Sequence, residues 1–261
     1  MDLNLTDKVV IVTGGAKGIG AAISQSFAAE GAKLVIASRP SAMASEFVDK
    51  LKEISEVLYI EGDLTSPGIC QKIISQTVET FGQIDVLVNN AGVNDGCNID
   101  DSLDKFKQSL NTNLIQVFEL VHYAFPHLEK SRGNIVNIGS KVAETGQGNA
   151  TGYAAAKGAV NALTREWALE FRMKEIRVNS IIPAECMTPL YRSCLDRLPN
   201  PEEEERRITS MIPLGERMTT AEELADLTVF IASSRSSHTT GQIIYADGGY
   251  THLDRKCTVK D

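Results

Sequence analysis

A tyrosine and a lysine stand four residues apart in a stretch of small residues. The segment TGYAAAKGAV covers residues 151–160, and three alanines separate Tyr153 from Lys157. Residues four apart on a helix lie on the same face, so we expect the two side chains to project together. A free phenol has a pKa of about 10, and a neighbouring ammonium group favours its ionised form. The spacing predicts a phenol with a lowered pKa that accepts a proton, although a partly buried tyrosine beside a snorkelling lysine has the same pattern.

Short apolar runs alternate with longer helical patterns along the chain. Candidate strands rich in Val and Ile lie at residues 8–13, 33–38, 57–62, 84–89, 134–139, 176–182 and 242–247. Candidate helices lie at residues 18–30, 41–54, 67–81, 101–130, 150–173 and 220–233. Near-continuous apolar strands alternating with helices predict an α/β fold, a Rossmann-type doubly wound parallel sheet in a three-layer αβα sandwich. No linker or repeat is visible, so we expect a single domain over residues 1–261.

Residues 184–219 interrupt this alternation. They lack a candidate strand and contain LPNPEEEERR, in which Pro201 suits a first helical turn and the glutamates favour its positive end. The segment follows a strand, and ligands of such sheets bind beyond the carboxyl ends of the strands. A solvated helix and a lid over the ligand site are both compatible with this pattern, and we favour the lid.

A glycine-rich turn, VTGGAKGIGAAI, follows the first candidate strand and opens the first helix. Gly14, Gly18 and Gly20 permit a tight turn and let the backbone approach a pyrophosphate at the helix N-terminus. An ordinary glycine-rich turn is the alternative. The position between a strand and a helix favours a dinucleotide-binding site, which also includes Ile19.

The end of the second candidate strand carries Ser38 and Arg39 where a carboxylate would bind a ribose diol and exclude a 2′-phosphate. Lys17 lies within the glycine turn. Two cations and a hydroxyl suit a phosphate dianion, so we expect NADP in preference to NAD. The alternative is that Lys17 and Arg39 are solvated surface charges. Asp63, followed by Leu64, is expected to accept a hydrogen bond from the adenine amino group, or else to cap a helix.

The segment NNAG at residues 89–92 follows the fourth candidate strand. Ala91 and Gly92 are small enough for the backbone to pass close to a coenzyme ribose, and we expect the Asn90 amide to tie neighbouring strands together. Asn-rich turns without ligands are common, so this motif predicts little by itself.

Taken together, these segments resemble the short-chain dehydrogenase/reductase family. The chain carries, in family order, the glycine turn, the NNAG segment, Ser140 after the fifth strand and the Tyr153-x-x-x-Lys157 pair. The resemblance implies an active-site tetrad of Asn113, Ser140, Tyr153 and Lys157. Tyr153 would be the base, with its pKa lowered by the Lys157 ammonium and a cationic nicotinamide together, and Ser140 would hold the substrate oxygen. Lys157 would bind the nicotinamide ribose, and Asn113 would hold a water that links Lys157 to solvent.

Two departures from the family pattern accompany this resemblance. Gly139 stands before Ser140 where the family often has a second serine, and Ala184 stands after Pro183 where it often has glycine. The resemblance also implies that Thr188 contacts the nicotinamide amide. The functional positions that match the family, including Pro183, carry the residues that the family has. Ala184 bears only on the path that the backbone takes near the nicotinamide.

The residues that follow the fourth, fifth and sixth strands are expected to line the substrate pocket with Ser140 and Tyr153. These candidates are Asn94, Asp95, Lys141, Glu144, Gln147, Glu185 and Tyr191. They are polar, whereas a steroid or fatty-acyl pocket would be mainly apolar. Buried polar groups favour substrates that satisfy them, so a polyhydroxylated substrate fits. The alternative is that each of these side chains faces water.

Three segments carry a narrower resemblance. NNAGVNDG, IPAECMTPLYR and HTTGQIIYADGGYTHLDR resemble segments of the sugar-oxidising members of the family, particularly L-fucose dehydrogenases. This implies oxidation of the anomeric hydroxyl of a sugar such as L-fucose to the lactone. The main rival is an NADPH-dependent carbonyl reductase of ketoacyl or steroid-type substrates. A non-catalytic binding protein on the same fold is a second rival, but we would expect it to lack the Tyr, Lys or Ser.

Composition and charge exclude several other classes. The net charge of -8 argues against a nucleic-acid partner. Five scattered cysteines and four histidines without a paired spacing predict neither a disulfide framework nor a metal site. A signal peptide or a membrane-spanning run of about 20 apolar residues is not expected. We therefore expect a cytoplasmic protein with a small-molecule sugar substrate and no membrane partner.

The family resemblance also implies an oligomer. Its members usually assemble through the long helices that correspond to residues 101–130 and 150–173. We expect a homotetramer, with a dimer as the alternative. The C-terminal segment HLDRKCTVKD is expected to reach a neighbouring subunit or to fray.

Overall fold

The computed structural model describes residues 1–252. The expectations for the tail beyond His252, and for the end of the HTTGQIIYADGGYTHLDR segment, lie outside the described residues. Within residues 1–252, seven parallel strands form one sheet in the order β3-β2-β1-β4-β5-β6-β7. The strands are β1 (Val9–Thr13), β2 (Lys33–Ser38), β3 (Val57–Glu61), β4 (Val86–Asn89), β5 (Asn134–Ile138), β6 (Arg177–Pro183) and β7 (Ile243–Ala246).

Helices connect the strands and cover both faces of the sheet. They are α1 (Gly18–Ala29), α2 (Ala42–Lys52), α3 (Ile69–Phe81), α4 (Leu103–Leu110), α5 (Gln116–Ser131), α6 (Thr151–Glu170), α7 (Pro189–Leu195), α8 (Pro201–Thr209) and α9 (Ala221–Ala232). This arrangement confirms the predicted doubly wound α/β fold.

The alternation of side chains along each strand divides the core into two layers. On β1, Val10 and Val12 pack with residues of α1, α2 and α9, whereas Val9 and Ile11 pack with residues of α3, α5 and α6. All four side chains are buried, which is why the strand is apolar throughout.

The strand order reverses between β1 and β4. The chain runs outward through β2 and β3 on one side of β1 and then returns to place β4 on the other side. The loops after β1 and β4 therefore separate and leave a crevice at the carboxyl edge of the sheet. The glycine turn and the NNAG segment both begin at this crevice.

The candidate helix at residues 101–130 is interrupted in the structure. A π-helical turn over Asn111–Ile115 separates α4 from α5. The apolar pattern continues through this turn and does not reveal it. Such turns change the direction in which side chains project and are frequent at functional sites.

The excursion at residues 184–219 contains two short helices, α7 and α8. Pro201 begins α8, and three glutamates lie in its first turn, as the sequence indicated. A bridge between Cys186 and Thr219 joins the two ends of the excursion. The excursion therefore leaves and returns at the carboxyl edge of β6.

Candidate active site

The glycine turn brings three backbone segments close together. Gly14 and Gly18 have φ values of 63° and 52°, which L side chains rarely adopt. A Cβ on Gly20 would lie 2.3 Å from the Gly14 carbonyl oxygen and 2.5 Å from the Asn90 amide nitrogen. Lys17 at the start of α1 provides no side-chain cap, so the first N–H groups of this helix face the crevice without one. The turn thus fits a pyrophosphate, which needs both the close backbone approach and these N–H groups.

Asn90 ties the ends of β1 and β4 together. Its side-chain amide donates to the Thr13 carbonyl at 2.8 Å. The backbone N–H groups of Asn90 and Ala91 each donate to the Thr13 hydroxyl at 3.0 Å, and that hydroxyl donates to the Val88 carbonyl at 3.2 Å. These bonds hold the NNAG segment at a fixed distance from the glycine turn, in the way expected for Asn90.

The end of β2 carries the residues on which we based the coenzyme preference. Arg39 and Lys17 are exposed, and Ser38 lies 3.3 Å from the Tyr59 hydroxyl. Asp63 accepts hydrogen bonds from the backbone N–H and hydroxyl of Thr65 at 2.9 and 2.7 Å. These bonds, with a smaller effect of the Arg39 charge, lower the pKa of Asp63. Asp63 therefore caps its own turn, and Arg39 is close enough to affect it electrostatically.

Leu64 and Ile19 occupy supporting positions beside these residues. Leu64 is half-buried against the core layer that contains α3, and Ile19 is half-buried against the layer that contains α1. Both residues fix the loops that surround the crevice.

Asn113 is held by the π-helical turn. Its side-chain amide donates to the Ser109 carbonyl at 3.0 Å, and its oxygen accepts from the Val93 N–H at 2.8 Å. The residue is completely buried. A Cβ on Gly92 would lie 2.9 Å from the Asn113 oxygen and 3.4 Å from the Lys157 nitrogen. The two polar groups therefore converge on one point beside the NNAG segment.

Tyr153 and Lys157 lie one turn apart on α6. The Lys157 nitrogen lies 5.7 Å from the centre of the Tyr153 ring and donates to the Ile138 carbonyl at 2.7 Å. Lys157 is 4% exposed, and burial lowers its pKa to about 8. Tyr153 forms a hydrogen bond with Ser140. The structure thus brings Ser140, Tyr153, Lys157 and Asn113 together at the carboxyl ends of β4 and β5.

The pKa of Tyr153 differs from the sequence-based expectation. Burial raises it above its ordinary value, and the hydrogen bond with Ser140 acts in the opposite direction. The protein alone therefore does not show the expected lowering, which combined Lys157 with a cationic nicotinamide; the combined effect stays a prediction. The cause is that the ring is buried, so the loss of water around the phenolate outweighs the opposing hydrogen bond with Ser140.

Thr188 and Pro183 lie on the opposite side of the crevice. Pro183 ends β6 and is buried, and Thr188 caps α7 by accepting from the Tyr191 N–H at 3.1 Å. A Cβ on Gly18 would lie 3.2 Å from the Thr188 methyl group. The start of the excursion therefore reaches the glycine turn.

The substrate candidates separate into two groups. Glu185 is in contact with two of the others: Lys141 forms an ion pair with it, and Tyr191 is hydrogen-bonded to it. Glu144 instead faces Asn161, at 3.5 Å, and Tyr245.

Three further candidates lie in loops outside this contact. Asn94 accepts a hydrogen bond from Gly96 of its own loop, Asp95 accepts one from the Ser109 hydroxyl at 3.1 Å, and Gln147 is exposed. The structure does not bring Asn94 or Gln147 against Lys141 and Glu185.

Tyr250 is a site residue that the sequence analysis missed. Its ring centre lies 4.0 Å from the Lys141 nitrogen. Tyr250 follows β7, so the rule that placed Glu185 after β6 would have found it.

Two further findings concern metal binding and membrane-spanning helices in the described residues. Among residues 1–252 no group of three or more His, Cys, Asp or Glu residues is arranged to hold a metal ion. No helix in that same range is both long and apolar enough to cross a membrane.

The comparisons with known proteins agree with this geometry. The family model described as enoyl-(acyl carrier protein) reductase matches residues 14–251. L-Fucose dehydrogenase of Mus musculus is 37% identical over 253 residues, which are 96% of this chain and 91% of the relative. The 3-oxoacyl-[acyl-carrier-protein] reductase of Thermotoga maritima is 35% identical over 254 residues, 95% of this chain and 99% of the relative.

Three solved structures have the same fold. The Cj0485 dehydrogenase superimposes with a TM-score of 0.93 at 44% identity, covering 98% of each chain. The aldohexose dehydrogenase of Thermoplasma acidophilum gives a TM-score of 0.88 at 32% identity, covering 97% and 98%. The L-sorbose reductase of Gluconobacter frateurii, in complex with NADPH and L-sorbose, gives a TM-score of 0.92 at 27% identity, covering 97% and 100%.

The match of the family model to almost the entire chain and the moderate identity to these relatives over most of its length agree with the Ser-Tyr-Lys geometry beside a glycine turn. The chain therefore belongs to the short-chain dehydrogenase/reductase family and is an NAD(P)-dependent oxidoreductase.

Proposed function

We propose that this enzyme oxidises the anomeric hydroxyl of a pyranose such as L-fucose to the lactone, with NADP as the preferred coenzyme. The single observation that carries the proposal is the polar surface beside Ser140, where Lys141, Glu185 and Tyr191 are in contact. A ketoacyl or steroid substrate would leave the remaining donors and acceptors of these groups unused, whereas the hydroxyl groups of a sugar satisfy them. The identity to the mouse L-fucose dehydrogenase and the likeness to the aldohexose dehydrogenase support the same substrate class.

The residues of the tetrad have complementary tasks in this reaction. Tyr153 accepts the proton of the C1 hydroxyl, and Ser140, its hydrogen-bond partner, holds the same oxygen. The bound coenzyme supplies the acceptor for the C1 hydrogen and its electron pair, so that the C1–O bond becomes the carbonyl of the lactone. Lys157 binds the nicotinamide ribose, and Asn113 holds a water that connects Lys157 to solvent.

The residues around the crevice fit the coenzyme. A Cβ at Gly14, Gly18 or Gly20 would crowd the neighbouring chain, and we assign this closely packed turn to the pyrophosphate. Asp63 and Leu64 would hold the adenine. The nicotinamide half would be held by Ile19, Asn90, Ala91, Gly92, Pro183 and Thr188. Lys17, Ser38 and Arg39 would bind the 2′-phosphate, which is the basis for proposing NADP over NAD.

The positive charge of an oxidised nicotinamide offsets the raised pKa of Tyr153. Burial raises this pKa in the protein alone. A cation bound near a buried phenol favours the phenolate strongly, because opposite charges interact more strongly where water is excluded. Tyr153 therefore becomes a base only when oxidised coenzyme is present.

The excursion is proposed to be a lid over this site. Thr188 at its start contacts Gly18, and Tyr191 in α7 contacts Glu185. Closure over both ligands would exclude water from the reacting atoms.

A homotetramer is proposed from the exposed apolar side chains of α5, α6 and the adjoining turns. Ile115, Phe118, Leu169 and Met173 are 43%, 52%, 66% and 79% exposed. Exposed apolar groups that cluster on long helices mark interaction surfaces.

The experiment that tests the function follows the absorbance of reduced coenzyme. L-Fucose, D-arabinose, L-galactose, rhamnose and a simple secondary alcohol are each tested with NAD and with NADP. We expect turnover with at least one aldose and trapping of the lactone by hydroxylamine. If a 3-ketoacyl thioester or a steroid ketone is turned over with NADPH and no aldose is turned over, the result would favour the carbonyl reductase. The Thermotoga maritima relative carries the name of such an enzyme.

A further inference from the structure

A buried charged pair joins the segments that follow the adjacent strands β5 and β6. Lys141 directly follows Ser140, and Glu185 is the second residue after β6. Their side chains form an ion pair and are 10% and 16% exposed. In every other ion pair found in residues 1–252, at least one side chain is much more exposed.

Stability alone does not account for this pair. Removing two charges from water costs more than their attraction returns unless the geometry and the remaining hydrogen bonds are very good. Replacing such a pair by apolar residues of similar size is often neutral or stabilising. A buried pair beside a catalytic serine therefore points to a role in binding.

The pair has hydrogen-bonding capacity left over. Among the described residues the Lys141 ammonium donates to Glu185 alone, so two of its three N–H groups remain. The Tyr250 ring lies against this ammonium, and Tyr191 is hydrogen-bonded to Glu185. The aromatic rings limit access of water, and the free donors and acceptors point to a small ligand with hydroxyl groups.

A hydroxyl group both donates and accepts, which matches an ammonium beside a carboxylate. One hydroxyl oxygen of a diol accepts from Lys141 while the neighbouring O–H donates to Glu185. A ketone or thioester oxygen only accepts, so it can use a free N–H of Lys141 but brings no donor to the remaining lone pairs of Glu185.

We propose that Lys141 and Glu185 form the subsite that recognises two neighbouring hydroxyl groups of the substrate, beyond the hydroxyl that is oxidised. This inference rests on the proposed function. It assigns to the pair the discrimination of a sugar from its deoxy analogues. Tyr191 orients Glu185, and Tyr250 orients Lys141, each by contact with the charged group.

The test compares the wild-type enzyme with the double variant Lys141→Met/Glu185→Gln, which leaves no unpaired charge. Each is assayed with L-fucose and with a set of its single-deoxy analogues. Wild type is expected to prefer L-fucose over the analogue that lacks a recognised hydroxyl by about 10-fold or more in kcat/KM. The variant is expected to lose most of this preference through a higher KM for L-fucose, while coenzyme affinity and melting temperature stay close to wild type.

The matched control is Lys174→Met/Glu129→Gln, an ion pair of the same residue types at the opposite edge of the sheet. It is expected to leave the deoxy preference unchanged. If the Lys141/Glu185 variant folds and keeps the wild-type ratio for every deoxy analogue, the subsite is wrong while the proposed function stands. A wild-type enzyme that oxidises no aldose overturns the proposed function and this inference with it.

Discussion

The Lys157 ammonium lies 5.7 Å from the centre of the Tyr153 ring while it donates a hydrogen bond to the Ile138 carbonyl. A backbone carbonyl, and not a carboxylate, is therefore the partner of this buried charge. That partner fixes the position of Lys157 without neutralising it. The charge remains available to the phenol and to a ribose, at the cost of a lowered pKa for Lys157.

This burial makes the stability of the protein depend on pH. The pKa of Lys157 falls from 10.5 to about 8, so the folded protein loses this proton before the unfolded chain does. The free-energy cost of burying the charged Lys157 is fully present below about pH 8 and disappears as the pH rises towards 10.5. The free energy of unfolding therefore increases over that window. The total change is about 3 kcal/mol. Lys157→Met removes this dependence.

The measurement is urea unfolding of wild type and Lys157→Met at several pH values across that window. The difference in free energy of unfolding is expected to shift in favour of wild type as the pH rises. Other titrating groups cancel in the comparison. A difference that stays constant with pH would mean that the Lys157 pKa is not lowered.

Tyr153→Phe is expected to lower kcat by about 10²- to 10⁴-fold, the usual contribution of a general acid or base. The ring stays in place and coenzyme affinity is retained, because only the proton acceptor is removed. Stopped assays of turnover and fluorescence titration of coenzyme binding measure the two effects. Tyr123→Phe on α5 is the control and keeps activity. Near-normal turnover of Tyr153→Phe would remove Tyr153 as the base.

The tyrosine spectrum provides a separate measurement of the coenzyme effect. The wild-type minus Tyr153→Phe difference in ultraviolet absorbance reports tyrosinate at residue 153. We expect its midpoint to move to lower pH when oxidised coenzyme is bound, because the nicotinamide charge favours the phenolate. The same midpoint with and without coenzyme would contradict the proposed activation.

Local sequence patterns predicted the sheet and the pairing of Tyr153 with Lys157, because each depends on spacing within one element, whereas Ser140 and Asn113 came from the family resemblance. Tyr153 and Lys157 share a face since both lie in α6, and Ser140 follows β5. The π-helical turn that orients Asn113 was not predictable, since its bonds to Ser109 and Val93 depend on tertiary contacts.

Contacts between distant segments were the least predictable. Lys141 and Glu185 are 44 residues apart and meet only because β5 and β6 are adjacent in the sheet. The raised pKa of Tyr153 also depends on contacts between distant segments, because these contacts bury the ring. The sequence shows that Lys157 is near the phenol but not how far the phenol is shielded from water. Burial is a property of the whole fold.

Gly20→Ala is expected to weaken coenzyme binding. The added Cβ would lie 2.3 Å from the Gly14 carbonyl, so the turn must shift. Loss of one hydrogen bond to a charged phosphate costs about 1.5–3 kcal/mol, which lowers affinity about 10- to 100-fold. Gly158→Ala is a matched helical control, since a Cβ there meets no atom within 4 Å. Fluorescence titration compares the two variants, and equal affinities would contradict a tight turn.

Phe118→Glu is expected to dissociate the proposed homotetramer. Phe118 is 52% exposed and stacks on His122 with ring centres 6.0 Å apart. A charge buried in an apolar interface is strongly unfavourable. Light scattering gives the mass of wild type and variant, and Met43→Glu, an exposed residue on α2, is the control. A wild type that is already monomeric, or a variant with unchanged mass, would contradict an assembly through α5.

Arg39→Ala is expected to change the coenzyme preference. The exposed guanidinium at the end of β2 is proposed to bind the 2′-phosphate, and a hydrogen bond to a charged group is worth about 1.5–3 kcal/mol. Its loss should lower kcat/KM for NADP about 10- to 100-fold and leave the value for NAD unchanged. Ser38→Asp should act in the same direction, since a carboxylate binds the ribose diol and repels a phosphate. Arg132→Ala, at the end of α5, is the control for a lost surface charge. Equal losses of kcat/KM with both coenzymes would show that Arg39 supports the fold of the loop and does not bind the 2′-phosphate.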